Sequence, residues 1–450
     1  MFRHSLVALA VLAAGDALPS RSAPRTDADG AAQLVDVRAL MNAAVGAPTL
    51  ICVLAARSIN NGWLRGGRVP IHPLAGANQE RSWEGRRALS SDDTDFLLDR
   101  LTSGDGCARE LAVQLLSRGE NRAARDGLTR HLRSGDAELR AVAAFGLGLI
   151  AERQSVEPLL AAVADADPAP RANAVWALGR IRDPRALRPA LRALDDRDAR
   201  VRDAAAETLG HLDSTAAVGA LARHLGSDDA SEVRRTAAWA LGQLRASEAI
   251  DALAGALRRD ADPRVREMSA WAIGNLERGS ADDALLASAR RDDDPAVREM
   301  AVWALGARGD HGNAAALADL LASERESSVR ATAAWAIGTM RPASAPAGLV
   351  SAVNDESDGV RERAAWALSE IRDASALAAV RRALRRDDNG SRTQRALLRA
   401  LVRSGETDAQ LLELFDDRDP KVREYVARSL AGGNHVDVWP WPMPRPRPFP

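Results

Sequence analysis

Asp262-Pro263-Arg264-Val265-Arg266-Glu267-Met268-Ser269-Ala270-Trp271-Ala272-Ile273-Gly274 is the stretch on which the fold of this chain turns. A turn acid and a proline lead into a Val-Arg pair, then an alanine-rich run with one tryptophan, then glycine. With variations the phrase recurs along most of the sequence. Its arginine, taken as a marker, falls at Arg109, Arg140, Arg171, Arg202, Arg234, Arg266, Arg298, Arg330, Arg361, Arg392 and Arg423, at intervals of 31 or 32 residues. A period this regular means one supersecondary unit stacked on copies of itself, each covering the face its neighbour would expose.

Each unit reads as two helices. Upstream of the quoted stretch, Ile250, Leu253 and Leu257 fall at i, i+3 and i+7, the spacing of one helical face. Asp262 can then cap the second helix while Pro263 occupies its first position. The same Asp-Pro start occurs at Asp167-Pro168, Asp294-Pro295 and Asp419-Pro420. The glycines are read as closing the helices, and no stretch alternates with the period of a strand. These signs predict an all-α protein, an α-solenoid of about eleven two-helix repeats across residues 92–432. The Asp-x-Asp-Pro-x-Val-Arg turn and the Ala-x-Ala-Leu-Gly helix end make the unit resemble the HEAT-like repeat of phycobilin lyase subunits, within the wider HEAT and armadillo superfamily. The resemblance covers about three quarters of the chain.

Charge argues against a nucleic-acid partner. Sixty-one basic residues face 62 acidic ones for a net charge of −1, and the arginines alternate with Asp and Glu rather than forming a phosphate-binding stripe. Lys421 is the only lysine, which reads as coding bias. The marker arginines are expected to pair with turn aspartates as a structural ladder. None of the seven histidines lies in a His-Glu pair or at metal-ligand spacing, and His211 and His224 are expected near helix ends at the surface. Deoxyhypusine hydroxylase, an enzyme resembling this family, holds iron with repeated His-Glu motifs that are missing here, so its activity does not carry over. There is no Gly-x-Ser-x-Gly and no phosphate-binding glycine loop. Spacing alone leaves a Ser/His/Asp set open, but no local motif points to one. The expectation is a non-enzyme without cofactor or metal.

The two ends depart from the array. A basic start (Arg3, His4) followed by an apolar run from Leu6 to Ala14 has the form of a signal peptide, with cleavage after Ala17 or Ser22. The competing reading is a misassigned start or a disordered tail. Residues 1–22 are thus expected to direct export to a periplasmic or extracellular location, leaving no membrane span after cleavage. Residues 32–60 read as a helical pair, Ala32–Val45 and Pro48–Ile59, capping the array. Residues 61–91 read as a connector, and 433–450 as a Trp/Pro-rich tail suited to polyproline II. In an exported protein the pair Cys52 and Cys107 suggests a disulfide joining cap to array. Closing that loop would contribute roughly 4 kcal/mol. Two buried thiols are the alternative.

Six of the ten tryptophans occupy one place in the repeat, five residues after the marker: Trp176, Trp239, Trp271, Trp303, Trp335 and Trp366. At about 100° per residue that place falls about 160° from the stripe formed by the valine before the marker and the apolar residues three, seven and ten after it. The indoles are therefore expected on an exposed, concave face, in company with Arg235, Glu267, Glu299 and Arg363. That face is read as a surface for a protein or a proline-rich peptide, including the chain's own tail. A second reading lays each indole across the groove between adjacent second helices, covering alanines and stiffening the stack. The function expected is an exported protein-binding scaffold. The alternatives are a regulatory or chaperone-like subunit of an envelope enzyme and, by repeat resemblance alone, a chromophore-lyase accessory subunit.

Overall fold

The computed structural model describes residues 37–46, 89–117, 121–276, 281–386 and 391–405, with 411–412, 420, 423–424 and 426–427. The leader, the second cap helix, the connector up to residue 88, Cys52 and the tail lie outside the described residues. Among the described residues every regular element is a helix, mostly α with short 3₁₀ turns opening several repeats.

The chain divides between Ser214 and Thr215 into two compact units. The first contains α1 (Val37–Ala44) and four pairs: α2 (Ser91–Arg100) with α3 (Gly106–Leu116), α4 (Arg122–His131) with α5 (Ala137–Ile150), α6 (Val156–Ala162) with α7 (Pro168–Ile181), and α8 (Leu187–Ala193) with α9 (Ala199–His211). The second contains six pairs: α10 (Val218–Ser227) with α11 (Ser231–Gln243), α12 (Ile250–Arg259) with α13 (Pro263–Gly274), α14 (Asp282–Arg291) with α15 (Pro295–Arg308), α16 (Ala314–Ser323) with α17 (Ser327–Met340), α18 (Ala347–Ala352) with α19 (Asp358–Ile371), and α20 (Leu377–Leu384) with α21 (Ser391–Arg403). Within each pair the first helix covers the apolar stripe of the second. Within each unit, second helices also pack on one another, more closely than first helices do. The small residues between them allow this: Ala270 and Ala272 of α13 are fully buried, as are Ala301 and Ala304 of α15.

The cap helix α1 buries Met41 and Ala44 and packs on α3. The Gly46 N–H donates to Asp105 Oδ2 at 2.8 Å. That bond, with the N–H of Ala108, holds the Asp105 carboxyl below its ordinary range.

The arginine ladder is present, and each rung has three parts. Arg266 places Nε and Nη2 at 2.8 Å on the two oxygens of Asp292 in the next repeat. Its Nη1 donates to the carbonyls of Asp260 and Ala261 in its own turn. Asp292 also accepts the N–H of Asp294, two residues on, at 3.0 Å. The same forked contact joins Arg140 to Asp165, Arg171 to Asp196, Arg234 to Asp260, Arg298 to Glu324 and Arg330 to Asp355. One side chain thus fixes the turn of its own repeat to the turn of the next, and bidentate guanidinium–carboxylate geometry makes that junction directional. Arg140 lowers the Asp165 carboxyl. Burial works against Asp196 and Glu324, but their arginines and turn N–H groups outweigh it and both remain lowered.

Local details depart from the sequence reading in three places. Asp262 and Asp294 cap their helices through the N–H groups of Arg264 and Ala296, whereas Asp167 makes no such bond and instead takes Arg140 Nη2 at 2.9 Å. Asp419 lies outside the described residues. Most repeat glycines do not close helices: Gly148, Gly179, Gly242, Gly306 and Gly338 lie inside α5, α7, α11, α15 and α17. Among the described residues, the left-handed position directly after a helix is held by Ala151, Arg182, Arg341 and Arg372, and by a glycine at Gly309; Gly46, Asp213, Arg245 and Gly405 are left-handed one residue later.

The third departure is one of register. Second helices begin three residues before their markers, as at Ser327 before Arg330 and Asp358 before Arg361. In helix α21 Gln394, not Arg392, holds the marker place, because Arg399, five residues after it, meets the preceding second helix at Glu370. Burial agrees: Thr393, in the valine place, is fully buried, while Arg392 is exposed.

Candidate functional site on the second-helix face

The tryptophans are not an exposed row. Trp176, Trp239, Trp271, Trp335 and Trp366 are buried, with 1–6% of their surface accessible, and Trp303 is half-buried. A helical wheel with one apolar stripe assumes one covered side. A second helix inside a stack is covered on three, by its own first helix and by the second helices before and after it. The indole lies on the side facing the preceding second helix, and the repeat glycine of that helix receives it. A Cβ placed on Gly148, Gly242, Gly274, Gly306 or Gly338 would stand 2.6–2.8 Å from Cζ3 of the tryptophan in the following repeat. Only glycine leaves that space. The arrangement is therefore the packing reading: each indole bridges the groove. Phe145, in the same place in α5, continues it, with its ring centroid 5.3 Å from that of Trp176.

Water reaches the polar residues beside the indoles instead. Glu267, Glu299, Glu362 and Arg363 are half-buried, one or two residues after their markers, and Arg235 is buried. Thr332 Oγ1 donates to Glu299 Oε1 at 3.2 Å across the α15–α17 groove. Arg363 donates to the Gly359 carbonyl at 3.2 Å, while its Nε is buried without a hydrogen-bond partner. Burial pulls the Arg363 guanidinium below its ordinary range, and Glu362 and Glu299 oppose that shift. Burial likewise raises the Glu362 carboxyl against the pull of Arg363. Of the residues expected to form a site, Glu299 and Arg363 are thus electrostatically coupled, and the tryptophans form the floor.

Among the described residues there is no group of three or more His, Cys, Asp or Glu able to hold a metal ion, and no helix long and apolar enough to cross a membrane. His211 and His224 lie in α9 and α10, the latter with Nδ1 3.1 Å from Asp228. Cys107 is disulfide-bonded.

One cluster escaped the sequence reading. Glu370, at the last turn of α19, accepts from Arg341 at 2.7 Å on one oxygen, and from Arg399 at 3.0 Å and Arg403 at 2.9 Å on the other. The register shift hid it: counted from Arg392, Leu397 takes the tryptophan place, but counted from Gln394 it is Arg399. The glycine place in the preceding helix is changed as well, to Ser369, fully buried with its hydroxyl on the Trp366 carbonyl at 2.7 Å. The available signal was the spacing of Arg395, Arg399 and Arg403, four residues apart.

Comparison with known proteins agrees with this geometry. The family model for HEAT repeats matches residues 125–208, 187–274, 255–338 and 323–402. No curated protein matches. Among solved structures the chain is similar to importin beta, at 14% identity over 75% of this chain and 56% of that one, TM-score 0.53. It is also similar to Kap95p bound to RanGDP, at 14% identity over 88% and 59%, TM-score 0.54. The CpcE–CpcF complex of phycocyanin lyase from Nostoc sp. PCC7120 matches at 25% identity over 55% and 93%, TM-score 0.34. The chain thus spans under three fifths of the importin-type chains. With the repeat model matching most of its length and the turn ladder and stacked second helices in place, the chain belongs to the HEAT-repeat family.

Proposed function

We propose that this protein is a non-enzymatic scaffold that holds a partner polypeptide on its second-helix face and works outside the cytoplasm. The observation that carries the binding reading is the recurrence of half-buried acids, Glu267, Glu299 and Glu362, one residue after their markers, with Arg363 beside the last, on helices whose tryptophans are locked into their neighbours. Such a face presents charged groups at fixed spacing on a rigid support, which limits the ordering cost of association. Kap95p, of the same fold, binds RanGDP. The extracytoplasmic reading rests on the apolar leader and on the disulfide at Cys107.

Affinity capture from envelope extracts tests the binding role. Wild type is compared with Glu267→Arg/Glu299→Arg/Glu362→Arg. The expected result is a defined polypeptide retained by wild type and lost from the variant at unchanged melting temperature. Retention of the same polypeptides by both proteins would overturn the assignment. Fractionation of cells producing the full chain tests the location: protein found only in the cytosol with its leader intact would overturn export.

A further inference from the structure

The α19–α21 step carries charge where the other steps of its unit carry an indole. Three guanidiniums, those of Arg341, Arg399 and Arg403, pair with Glu370, whose side chain is only 7% exposed. Arg341 sits in the left-handed closing position of α17, φ 49°, from which its side chain reaches Glu370. Arg399 keeps a buried Nε with no hydrogen-bond partner. Burial lowers Arg403 from its ordinary range, and Arg372, Arg399 and Arg341 add to that against Glu370. One carboxylate thus faces three guanidiniums, while the whole chain is nearly neutral.

The cluster continues along α21. Arg392, Arg395, Arg399 and Arg403 follow one helix stripe, and the first two act on Glu362 of α19. Residues spaced by four on a helix lie about 6 Å apart. Alternate side chains of an extended strand lie about 6.6 Å apart. A peptide running along α21 with an acid at every second residue would set its carboxylates against Arg395, Arg399 and Arg403 in turn.

We propose that the Arg341–Arg399–Arg403 cluster and the α21 stripe form a docking site for an extended acidic segment of a partner protein, with carboxylates at alternate positions. Glu370 occupies the end of that site as an internal carboxylate, and the partner's acids compete with it for the guanidiniums. The proposal rests on the reading of the second-helix face as a binding surface, and it names the chemistry of what binds there. Charge-driven association of this kind weakens as salt rises.

The test is fluorescence anisotropy of the full chain with a labelled peptide bearing five glutamates alternating with serine. Arms with the same peptide carrying lysine, with inorganic phosphate as competitor and with double-stranded DNA run beside it. The glutamate peptide is expected to bind with salt-dependent affinity, and Arg399→Gln/Arg403→Gln to weaken it at least tenfold. Arg381→Gln/Arg382→Gln, on helix α20, should leave it within twofold. Glu370→Gln removes the internal competitor and should tighten binding severalfold, an outcome that misfolding does not produce. No binding of the glutamate peptide, an equal loss in both arginine pairs, weaker binding by Glu370→Gln, or displacement of the peptide by millimolar phosphate would each overturn the proposal. Capture of a partner through Glu267, Glu299 and Glu362 is a separate readout: its survival alongside a failed peptide assay sinks this site alone, and its loss alongside a positive assay sinks only the general face.

Discussion

The α17–α19 step and the α19–α21 step share one backbone arrangement and differ in two side chains. In the first, Gly338 leaves a notch and Trp366 fills it. In the second, Ser369 closes the notch and Arg399 stands where the indole would be, its guanidinium turned to Glu370. A repeat module thus has a position that stiffens the stack when glycine and tryptophan are paired across it, and that presents charge when both are exchanged. The tryptophans are therefore structural, and candidate binding residues are found where the module is broken or where it meets water.

Acid should have the largest effect, because it attacks the element common to the regular steps. Asp165, Asp196 and Glu324 on the ladder, and Asp198 and Asp262 in the turns, are held below the ordinary carboxylate range. Asp183 is lowered to about 2 by Arg185. A carboxyl lowered on folding contributes stability that is complete above its unfolded value, about 4, and drains as pH falls through the folded value. The melting temperature, followed by circular dichroism, should be flat from about pH 7 to 5 and fall steeply between about 4 and 2. A flat profile across that lower range would remove the ladder as a source of stability.

Trp366→Ala should cost about 3–5 kcal/mol in urea unfolding, as buried aromatic truncations do. Arg399→Leu, at the same place one step on, should change stability by less than about 1 kcal/mol, since Arg341 and Arg403 still hold Glu370. Equal costs would erase the contrast between the two steps. Arg266→Ala should cost about 3 kcal/mol by leaving Asp292 paired to nothing through that fork. Arg392→Ala, exposed once the register is corrected, should stay within about 0.5 kcal/mol.

Gly306→Ala should cost about 1–3 kcal/mol by overpacking, because its new Cβ meets Trp335 and Ala336. A neutral result would mean that the notch is looser than its geometry. One change should give a gain: Ala151→Gly relieves a left-handed alanine at φ 56° and should add up to about 1 kcal/mol. A thermal shift of the first unit is the measurement, and a loss of stability there would contradict the strain.

Much of the architecture was legible because period, turn chemistry and helix spacing are local. The marker arginines and turn acids were readable as a ladder because both recur at the repeat interval, which places them side by side whenever repeats stack. The site was legible only in part. Glu299 and Arg363 are legible as polar neighbours of the indoles; the structure leaves both half-buried. The exposure of Trp271 and Trp335 was misjudged because a wheel describes one helix against one partner. The Glu370 cluster was missed because the phrase-matching arginine Arg392 sits two residues from the structural marker.

The sequence by itself determined the two-helix unit, its repetition and the pairing of turn charges, because each depends on residues close in the chain or one period apart. Only the tertiary structure decided which faces of a second helix meet protein and which meet water. That outcome depends on three neighbours at once, and on whether the facing residue is a glycine small enough to admit an indole. At the last described step it is Ser369, and the charge that took the indole's place became the site.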